Sequence, residues 1–482
     1  MKSIRKYEWR TTQMLKEVGL LMFLAALTVC CLTLRTSQSR AGQTVVVTPG
    51  ENLQTLVNQY PAGTTFTLAS GVHRMQSVVP KSYDTFNGEA SAVLSGAALL
   101  TSFSKSGSYW VATVKAAVHS SYPGYCRAST PHCTFPEDLF FDSHPKVRAG
   151  SLAGVHAGMW YLDYATEKAY MADDPAGHTV EVSLLPQAFS GKGYGVTIFN
   201  VIVEKYASLA GEGAIDSSAG TNWAVRWSEA RHNHGMGVRT GTGMYLYHCN
   251  LHDNGQLGTG GSGSNILMQN SQIAFNNYAG YNYYWEAGGA KFSGVKNLKV
   301  QYSSFHDNLG PGLNDDTASE AVEYDSNSTS NNREAGILHE IGYNALIQNN
   351  YVANDGFNPD GTNVWWGSGI YINTSSHTEV KNNTLVNCMN GITLRYDSRG
   401  KGPNGLPYVL QNVDVHNNTI TQTTGMACAL VKAAVFDNAV YTSFDNHFQD
   451  NTFHLASSTY KYFYWLAEPW TLAQWNQYAS LH

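Results

Sequence analysis

The sequence predicts an all-β fold in which short parallel strands wind into a solenoid, a parallel β-helix. A six-residue pattern recurs between Ser228 and Phe453: a small polar residue, an apolar residue two positions later and, in most copies, a closing Asn. Successive copies begin 21 to 24 residues apart, or 32 to 35 where a loop intervenes. A sustained period in this range is typical of a solenoid whose units pack only on their neighbours.

The residue types within each copy favour strands over helices. The copies hold short apolar or β-branched runs, such as residues 345–347, separated by Gly, Asn and Asp. None has the ten or more residues of helical periodicity that a helix-pair repeat needs. Asn suits the corners between strands because it tolerates left-handed backbone. We expect Asn327, Asn350, Asn383 and Asn418 to stack as an internal ladder of amides.

The first 41 residues are predicted to be a signal peptide. Basic residues precede an apolar run at residues 18–34, and Ser39 and Ala41 place small residues where signal peptidase reads the chain. An uncleaved membrane anchor is the alternative, because the apolar run is near the lower length limit for a membrane span. We expect a secreted, periplasmic or cell-surface protein, with no stable membrane insertion after cleavage.

The charge of the chain excludes nucleic acid as an expected partner. The chain has 30 Lys and Arg against 36 Asp and Glu, a net charge of −6. Beyond residue 41 there are 23 basic and 34 acidic residues, so the net charge there is −11. Nucleic-acid binding needs a basic surface, and a polyanionic substrate would need a local basic cleft. We expect a monomer.

The pattern divides the exported part into four segments. Residues 42–102 are predicted to hold an N-terminal cap and the first coils, and residues 103–190 an inserted antiparallel β-subdomain. The main coils are predicted at residues 191–456, and the aromatic residues 457–482 are predicted to cap the C-terminal end. Caps are expected because the end units of a solenoid have no neighbour to cover them.

Five cysteines follow residue 41. Cys126 and Cys133 flank a Pro-containing loop and are close enough in sequence to pair in an oxidising compartment. Cys249, Cys388 and Cys428 are interpreted as buried free thiols, and a pair between Cys388 and Cys428 stays open. The sequence has no Cys/His spacing typical of a metal site.

Three sequence segments, at residues 286–291, 310–316 and 336–341, resemble those of a known group of proteins. They are similar to a run common among right-handed parallel β-helix proteins of the pectate-lyase-like superfamily, which includes polygalacturonases, pectate lyases and alginate lyases. The resemblance implies a right-handed coil and a polysaccharide substrate. The Gly-His-Gly and Arg-Ile-Lys elements of polygalacturonases are missing, so the resemblance does not fix the reaction.

Candidate site residues follow from stacking the coils on Gly288, Gly312 and Gly336, which are 24 residues apart. Three positions after each Gly, the predicted column is Lys291, Asp315 and His339. Four positions after, it contains Asp316 and Glu340, with Asn373 and Arg395 in later coils. Neighbouring coils are about 4.8 Å apart, so Asp316 and Glu340 are predicted to share one site. Two such carboxylates repel, which raises one pKa and sets an acid beside a base.

Two interpretations of these columns stay open. Lys291, Asp315 and His339 form either a site or a buried ionic stack, whereas Asp316 and Glu340 are expected to be exposed and functional. Aromatic loops at residues 278–285 and 357–367 either bind sugar faces or pack over the coils. The first loop leads directly into Glu286, the next catalytic candidate together with Lys291.

The function expected from these residues is that of an exported glycoside hydrolase with paired carboxylates. A polysaccharide lyase or uronate epimerase is the alternative, with Lys291, Arg395 and Arg239 as cations. Calcium, held by Asp315, Asp316 and Glu340, is possible only in that case, and no cofactor is otherwise expected. A non-catalytic glycan-binding surface protein is the third possibility.

Overall fold

The computed structural model describes residues 42–115, 124–358, 365–433, 435–436 and 438–479. The predicted signal peptide lies outside the described residues, as do the centre of the loop at residues 357–367 and the end of the predicted C-terminal cap. Within the described residues, no helix has the length and apolar character that a membrane-crossing segment needs.

Three long sheets, A, B and C, form the described part of the solenoid. Most coils contribute one strand to each sheet in the order A, B, C, and successive coils pair in parallel, as Leu298 does with Val322. In the described residues sheet A has 13 strands: Thr44–Val47, Thr65–Leu68, Thr85–Gly88, Thr197–Phe199, Ala224–Arg226, Tyr245–Tyr247, Ser264–Gln269, Lys296–Gln301, Glu320–Asp325, Tyr343–Gln348, Ser376–Lys381, Gln411–His416 and Asn446–Gln449.

Sheets B and C run beside sheet A along the same coils. The described strands of sheet B are Gly71–Arg74, Ala92–Ser95, Ile202–Glu204, Glu229–Arg231, Asn250–His252, Gln272–Ala274, Ser304–His306, Ser328–Ser330, Tyr351–Ala353, Thr384–Val386, Thr419–Gln422 and Thr452–Leu455. Those of sheet C are Phe189–Ser190, Gly213–Asp216, Met236–Thr240, Leu257–Gly261, Gly288–Ser293, Leu313–Asp316, Ile337–Glu340, Ser368–Asn373, Asn390–Tyr396, Cys428–Lys432, Phe463–Trp465 and Glu468–Trp470. The predicted parallel β-helix is confirmed.

Two smaller sheets interrupt the coils after Ala92–Ser95. The strands of one are His144–Pro145, Leu139–Phe141, Val180–Ser183 and Ala97–Leu100, and those of the other are Val147–Arg148, Met159–Asp163, Lys168–Met171, Tyr109–Thr113 and Ser104–Ser106. The described pairs are antiparallel, apart from that between Val147–Arg148 and Met159–Asp163. The inserted antiparallel β-subdomain is therefore present.

Short helices lie near both ends of the described solenoid. Leu53–Gln59 begins after Asn52, whose side chain accepts from the Thr55 N–H at 2.8 Å, and so satisfies one of the free donors of the first turn. Leu472–Ala479 packs Trp475 onto Phe463, with ring centroids 4.7 Å apart. The other described helices are Ala439–Thr442 and the 3₁₀ turn Leu152–Gly154.

The predicted amide ladder is confirmed. The Asn350 side chain donates to Asn383 Oδ1 at 2.9 Å, and the backbone N–H of Asn350 donates to the same oxygen, also at 2.9 Å. The same pair of bonds joins Asn327 to Asn350, Asn383 to Asn418, and Asn418 to Asn451. Each amide oxygen therefore accepts from the buried backbone N–H and side chain of the Asn one coil earlier, so these buried polar groups are hydrogen-bonded.

The closing Asn of each repeat forms a second ladder, which was not predicted from the sequence. It runs through Asn233, Asn254, Asn276, Asn308, Asn332 and Asp355. The recurrent Gly explains why this ladder fits. A Cβ on Gly312 would stand 2.7 Å from Asn332 Nδ2, and one on Gly289 would stand 2.9 Å from Asn308 Nδ2. The Gly residues of sheet C and the closing Asn residues are thus two halves of one packing arrangement.

The cysteine predictions are also confirmed. Cys126 and Cys133 form a disulfide. Cys249, Cys388 and Cys428 are buried free thiols, so the alternative pair between Cys388 and Cys428 does not form. Burial raises the pKa of the Cys249 thiol to about 12, which keeps it protonated and unreactive.

Candidate active site

The predicted stacking of Lys291 with Asp315 and His339 is wrong by one residue. Sheet C pairs Lys291 with Asn314 and Phe292 with Asp315. The sequence has two adjacent glycines, and the coils align on Gly289, whose missing Cβ makes room for Asn308. Because neighbouring residues of a strand face opposite sides, this shift moves Lys291 to the outer face of the sheet.

Asp315 and His339 lie inside the coils. Both are 0 % exposed, His339 Nδ1 is 2.8 Å from Asp315 Oδ2, and Tyr324 donates to Asp315 Oδ1 at 2.8 Å. In the next coil, His339 pairs with Ile372, whose side chain is also buried in the core. The structure therefore places this pair in the core, on the other side of the sheet from Lys291.

Lys291, Asp316 and Glu286 meet on the outer face of sheet C. Lys291 Nζ is 3.0 Å from Asp316 Oδ2 and 3.4 Å from Glu286 Oε1, and it donates to the Trp285 carbonyl at 2.9 Å. The Asp316 carboxylate also accepts from the Thr317 N–H at 2.6 Å. One ammonium thus holds two carboxylates from neighbouring coils.

Glu340 extends this cluster by one coil. Its Oε1 accepts from Asn373 Nδ2 at 2.8 Å and pairs with Arg399. Burial, followed by repulsion from Asp316, raises the pKa of Glu340, although Arg399 and Lys291 oppose the shift. Arg399 was not among the residues predicted from the sequence, because it lies in an irregular segment after the strand Asn390–Tyr396, outside the repeat.

The predicted exposure of Asp316 and Glu340 is wrong. Their column faces outward, yet they are only 9 % and 3 % exposed. The segment after the strand Asn390–Tyr396 brings Arg399 onto Glu340, and Lys291 contacts Asp316. Arg395, predicted in the same column in a later coil, pairs with Asp397 at 2.7 Å and keeps about a quarter of its side chain exposed.

The charges in the cluster support one another. Burial lowers the pKa of Lys291, but the carboxylates of Glu286 and Asp316 outweigh it and raise the pKa above its ordinary value. Burial raises the pKa of Glu286, against the opposing effect of Lys291. Lys291 is therefore a permanent positive charge at neutral pH, and it suits electrostatic stabilisation better than proton abstraction.

The aromatic loops pack over the coils and against each other. Tyr281 and Tyr283 are buried, whereas Tyr284 is 41 % exposed and lies 5.5 Å from Trp366, ring to ring. Trp366 in turn lies 5.5 Å from Tyr371 on the outer face of sheet C. The aromatic side chains therefore border the face that holds the carboxylates, with Tyr284 at the surface.

The inserted subdomain packs against the aromatic loop at residues 278–285. Tyr125 lies 5.7 Å from Trp285, ring to ring, and its carbonyl accepts from the Asn282 N–H at 2.8 Å. Cys133 packs with Tyr281 in one apolar cluster. The disulfide-bonded segment of the insertion thus fixes Trp285, whose carbonyl holds Lys291.

The carboxylates predicted to hold calcium do not converge. Asp315 faces the core, while Asp316 and Glu340 face outward. Among the described residues, no group of three or more His, Cys, Asp or Glu side chains is placed to hold a metal ion.

Comparison with known proteins agrees with the fold. Residues 213–368 match the family model described as right handed beta helix region. The solved structure of XylC in complex with xylose shares 13 % identity and a TM-score of 0.65, and the match covers 86 % of this chain and 83 % of that one. At this identity the likeness shows the fold alone. The chain therefore has a right-handed parallel β-helix fold, as the resemblance implied.

Two other solved structures are more weakly similar to this chain. PfbA, a surface adhesin of Streptococcus pneumoniae, is 10 % identical with a TM-score of 0.45, and the match covers 88 % of this chain and 91 % of that one. The periplasmic alginate epimerase AlgG is 11 % identical with a TM-score of 0.43, and the match covers 86 % of each chain. The comparison with curated proteins finds no match.

Proposed function

We propose that the chain is a polysaccharide-active enzyme, and specifically a glycoside hydrolase that uses the outer face of sheet C. The observation that carries the proposal is the contact of Lys291 with Asp316 and Glu286, beside Glu340, whose pKa is raised. A glycosidase needs two carboxyl groups that differ in proton affinity. Asp316 and Glu340 supply two carboxyl groups from neighbouring strands.

The roles follow from the environment of each group. Glu340, with its raised pKa, donates a proton to the glycosidic oxygen. Asp316 lies 3.0 Å from the Lys291 ammonium and acts on the other side of the sugar ring. There it is either the base that activates water or the nucleophile. Arg399 and Asn373 both contact Glu340 and fix its direction.

A lyase or epimerase is the second candidate, favoured by cations on this face. Lys291, Arg395 and Arg399 are placed to neutralise a uronate carboxylate. The raised pKa of Lys291 disfavours it as the base that such chemistry needs.

A screen of polysaccharides tests the proposal directly. Hydrolysis releases reducing ends and creates no carbon–carbon double bond. Elimination leaves an unsaturated uronate that absorbs in the ultraviolet, and epimerisation changes the sugar without releasing ends. Reducing ends without new ultraviolet absorbance support the hydrolase. Products that absorb in the ultraviolet would reject the hydrolase and support the lyase.

We propose that the protein is exported and acts as a monomer outside the cytoplasm. The N-terminal segment and the disulfide between Cys126 and Cys133 support export, because disulfides persist in oxidising compartments. The N-terminal sequence of protein recovered from culture medium or periplasm identifies the cleavage site. Recovery of full-length chain in the membrane fraction would support the anchor instead.

A further inference from the structure

A groove follows the corner between sheets A and B, away from the face that holds the carboxylates. We call it the corner groove; its volume is about 620 Å³, and it is lined by His248, Asn270, Tyr302, Ser326, Asn349 and Tyr351, among others. Five of these six occupy the corner position of five consecutive coils. At about 4.8 Å per coil, the corners span roughly 19 Å along the solenoid, which is the length of a short oligosaccharide.

The corner groove presents large aromatic rings to solvent. Tyr302 is 57 % exposed and Tyr351 is 50 % exposed. One coil before His248, Trp227 is 52 % exposed and stacks on the His248 ring, with centroids 4.0 Å apart and planes 8° from parallel. Isolated exposed aromatics are ordinary, but His248, Tyr302 and Tyr351 line one groove, and Trp227 stacks on His248 at the same corner one coil earlier.

The backbone at these positions makes the aromatic residues costly. Trp227, His248 and Tyr302 have φ angles of 53°, 52° and 53°. Left-handed backbone is unfavourable for a non-Gly residue, and Asn tolerates it best. Asn270 and Asn349 stand at equivalent corners of other coils, with φ angles of 51° and 58°. Three such rings at one corner of the solenoid, where Asn would fit, suggest a binding role.

The polar lining of the corner groove is neutral. Beyond the rings it offers hydroxyl and amide groups such as those of Gln272, Ser304 and Ser328, and none of the described lining residues is Asp, Glu, Lys or Arg. Asp325 lies beside the groove, where its Oδ1 accepts from Ser326 at 3.0 Å and from Asn349 at 2.8 Å. A lining without Asp, Glu, Lys or Arg suits an uncharged ligand.

We propose that the corner groove is a second, non-catalytic binding site for a neutral polysaccharide chain. Rings stack on the apolar faces of sugars while hydroxyl and amide groups bond their hydroxyls. Such a site goes beyond the proposed function, since it requires binding and no turnover. A site remote from the carboxylates would hold the protein on a polymer and raise its effective concentration there.

Affinity electrophoresis in gels that contain a polysaccharide tests this site. The probes are the neutral polymers xylan, glucomannan and soluble starch, with the polyanion alginate for comparison. The protein carries Glu340→Gln in every lane to limit cleavage of the probe, and the polymer is recovered after the run to check that it is intact. We expect at least one neutral polymer to retard the protein and alginate to have no comparable effect.

The decisive variant combines Tyr302→Asn with Tyr351→Ser. Tyr302→Asn places at this corner the residue found at Asn270, so the fold should survive or gain stability. We expect the Kd for the neutral polymer to rise at least about tenfold, because the variant removes two rings that can stack on sugar faces. Phe275→Asn is the matched control: Phe275 is 49 % exposed with φ 56°, at the other corner of sheet B.

Several results would overturn the proposal. They are no retardation of the parent by any neutral polymer, unchanged affinity in the double variant, or equal loss in the control. Retardation by alginate alone would also reject a neutral ligand. If sedimentation shows a dimer that the double variant dissociates, the groove is a contact between copies and not a glycan site. Each outcome reports binding at the corner groove, so failure of this proposal does not decide whether Glu340 is catalytic.

Discussion

Replacing Asp355 by Asn should change how stability depends on pH. Asp355 ends the second ladder: Oδ1 accepts from the backbone N–H and side chain of Asn332 at 2.8 and 2.9 Å, and Oδ2 accepts from Thr329 at 2.7 Å. Burial raises its pKa from 3.8 to about 7, although these hydrogen bonds oppose the shift. An Asn keeps the bonds to Asn332 and offers its amide to the Thr329 hydroxyl, without a charge.

The direction in which stability changes with pH follows from the raised pKa of Asp355. Because the folded pKa lies above the unfolded one, the native state binds more protons between these values, and stability falls as pH rises. The contribution of Asp355 is complete below pH 3.8 and is lost by about pH 7. Each pKa unit corresponds to about 1.4 kcal/mol, so the full loss is roughly 4 kcal/mol.

Urea unfolding at several pH values between about 4.5 and 8.5 measures this effect. The free energy of unfolding of Asp355→Asn, relative to the parent, should rise by about 1.4 kcal/mol per pH unit up to about pH 7 and then level off. Asp450→Asn, at an exposed corner, is the control and should follow the parent. Parallel curves for Asp355→Asn and the parent would refute the reasoning that a buried, mostly protonated carboxyl ends the ladder.

Three further outcomes are expected. Asn350→Leu should lower the free energy of unfolding by about 1–3 kcal/mol, because its neighbours in the ladder lose an amide partner; an unchanged melting temperature would contradict this. Lys291→Met should lower turnover by about 10²–10³-fold, as loss of an electrostatic stabiliser does, and near-parental kinetics would remove Lys291 from the site. Reducing the disulfide between Cys126 and Cys133 should lower turnover without unfolding the coils, because this segment braces Trp285; circular dichroism and rate assays before and after reduction measure both, and unchanged turnover would show that the brace is dispensable.

The sequence predicts the fold well because the solenoid repeats the same physical requirement in every coil. A polar corner, an inward apolar residue and a Gly are needed each time, so chance variation in one coil does not hide the pattern. Asn327 and its successors are predictable as a ladder for that reason. The second ladder, from Asn233 to Asp355, was present in the pattern, but its pairing with the Gly column needs three-dimensional packing.

The candidate site is less predictable because it depends on departures from the repeat. Two adjacent glycines allow two registers, and only the fit of Gly289 against Asn308 selects between them. Arg399 reaches Glu340 from an irregular segment, so no column contains it. Burial of Glu340 likewise depends on that segment and not on the strand that carries the residue.

The most direct test of the proposed carboxylate pair is turnover of a cleaved polysaccharide by Asp316→Asn, Glu340→Gln and the double variant. Glu320→Gln is the matched control, since Glu320 is a half-exposed carboxylate paired with Lys296 on sheet A. Each single change at the site should lower kcat by about 10²–10⁴-fold. The double change should cost little more, because groups that act as a unit are not additive. Turnover by Glu340→Gln within a few-fold of the parent, with the control unchanged, would contradict a catalytic role for the pair.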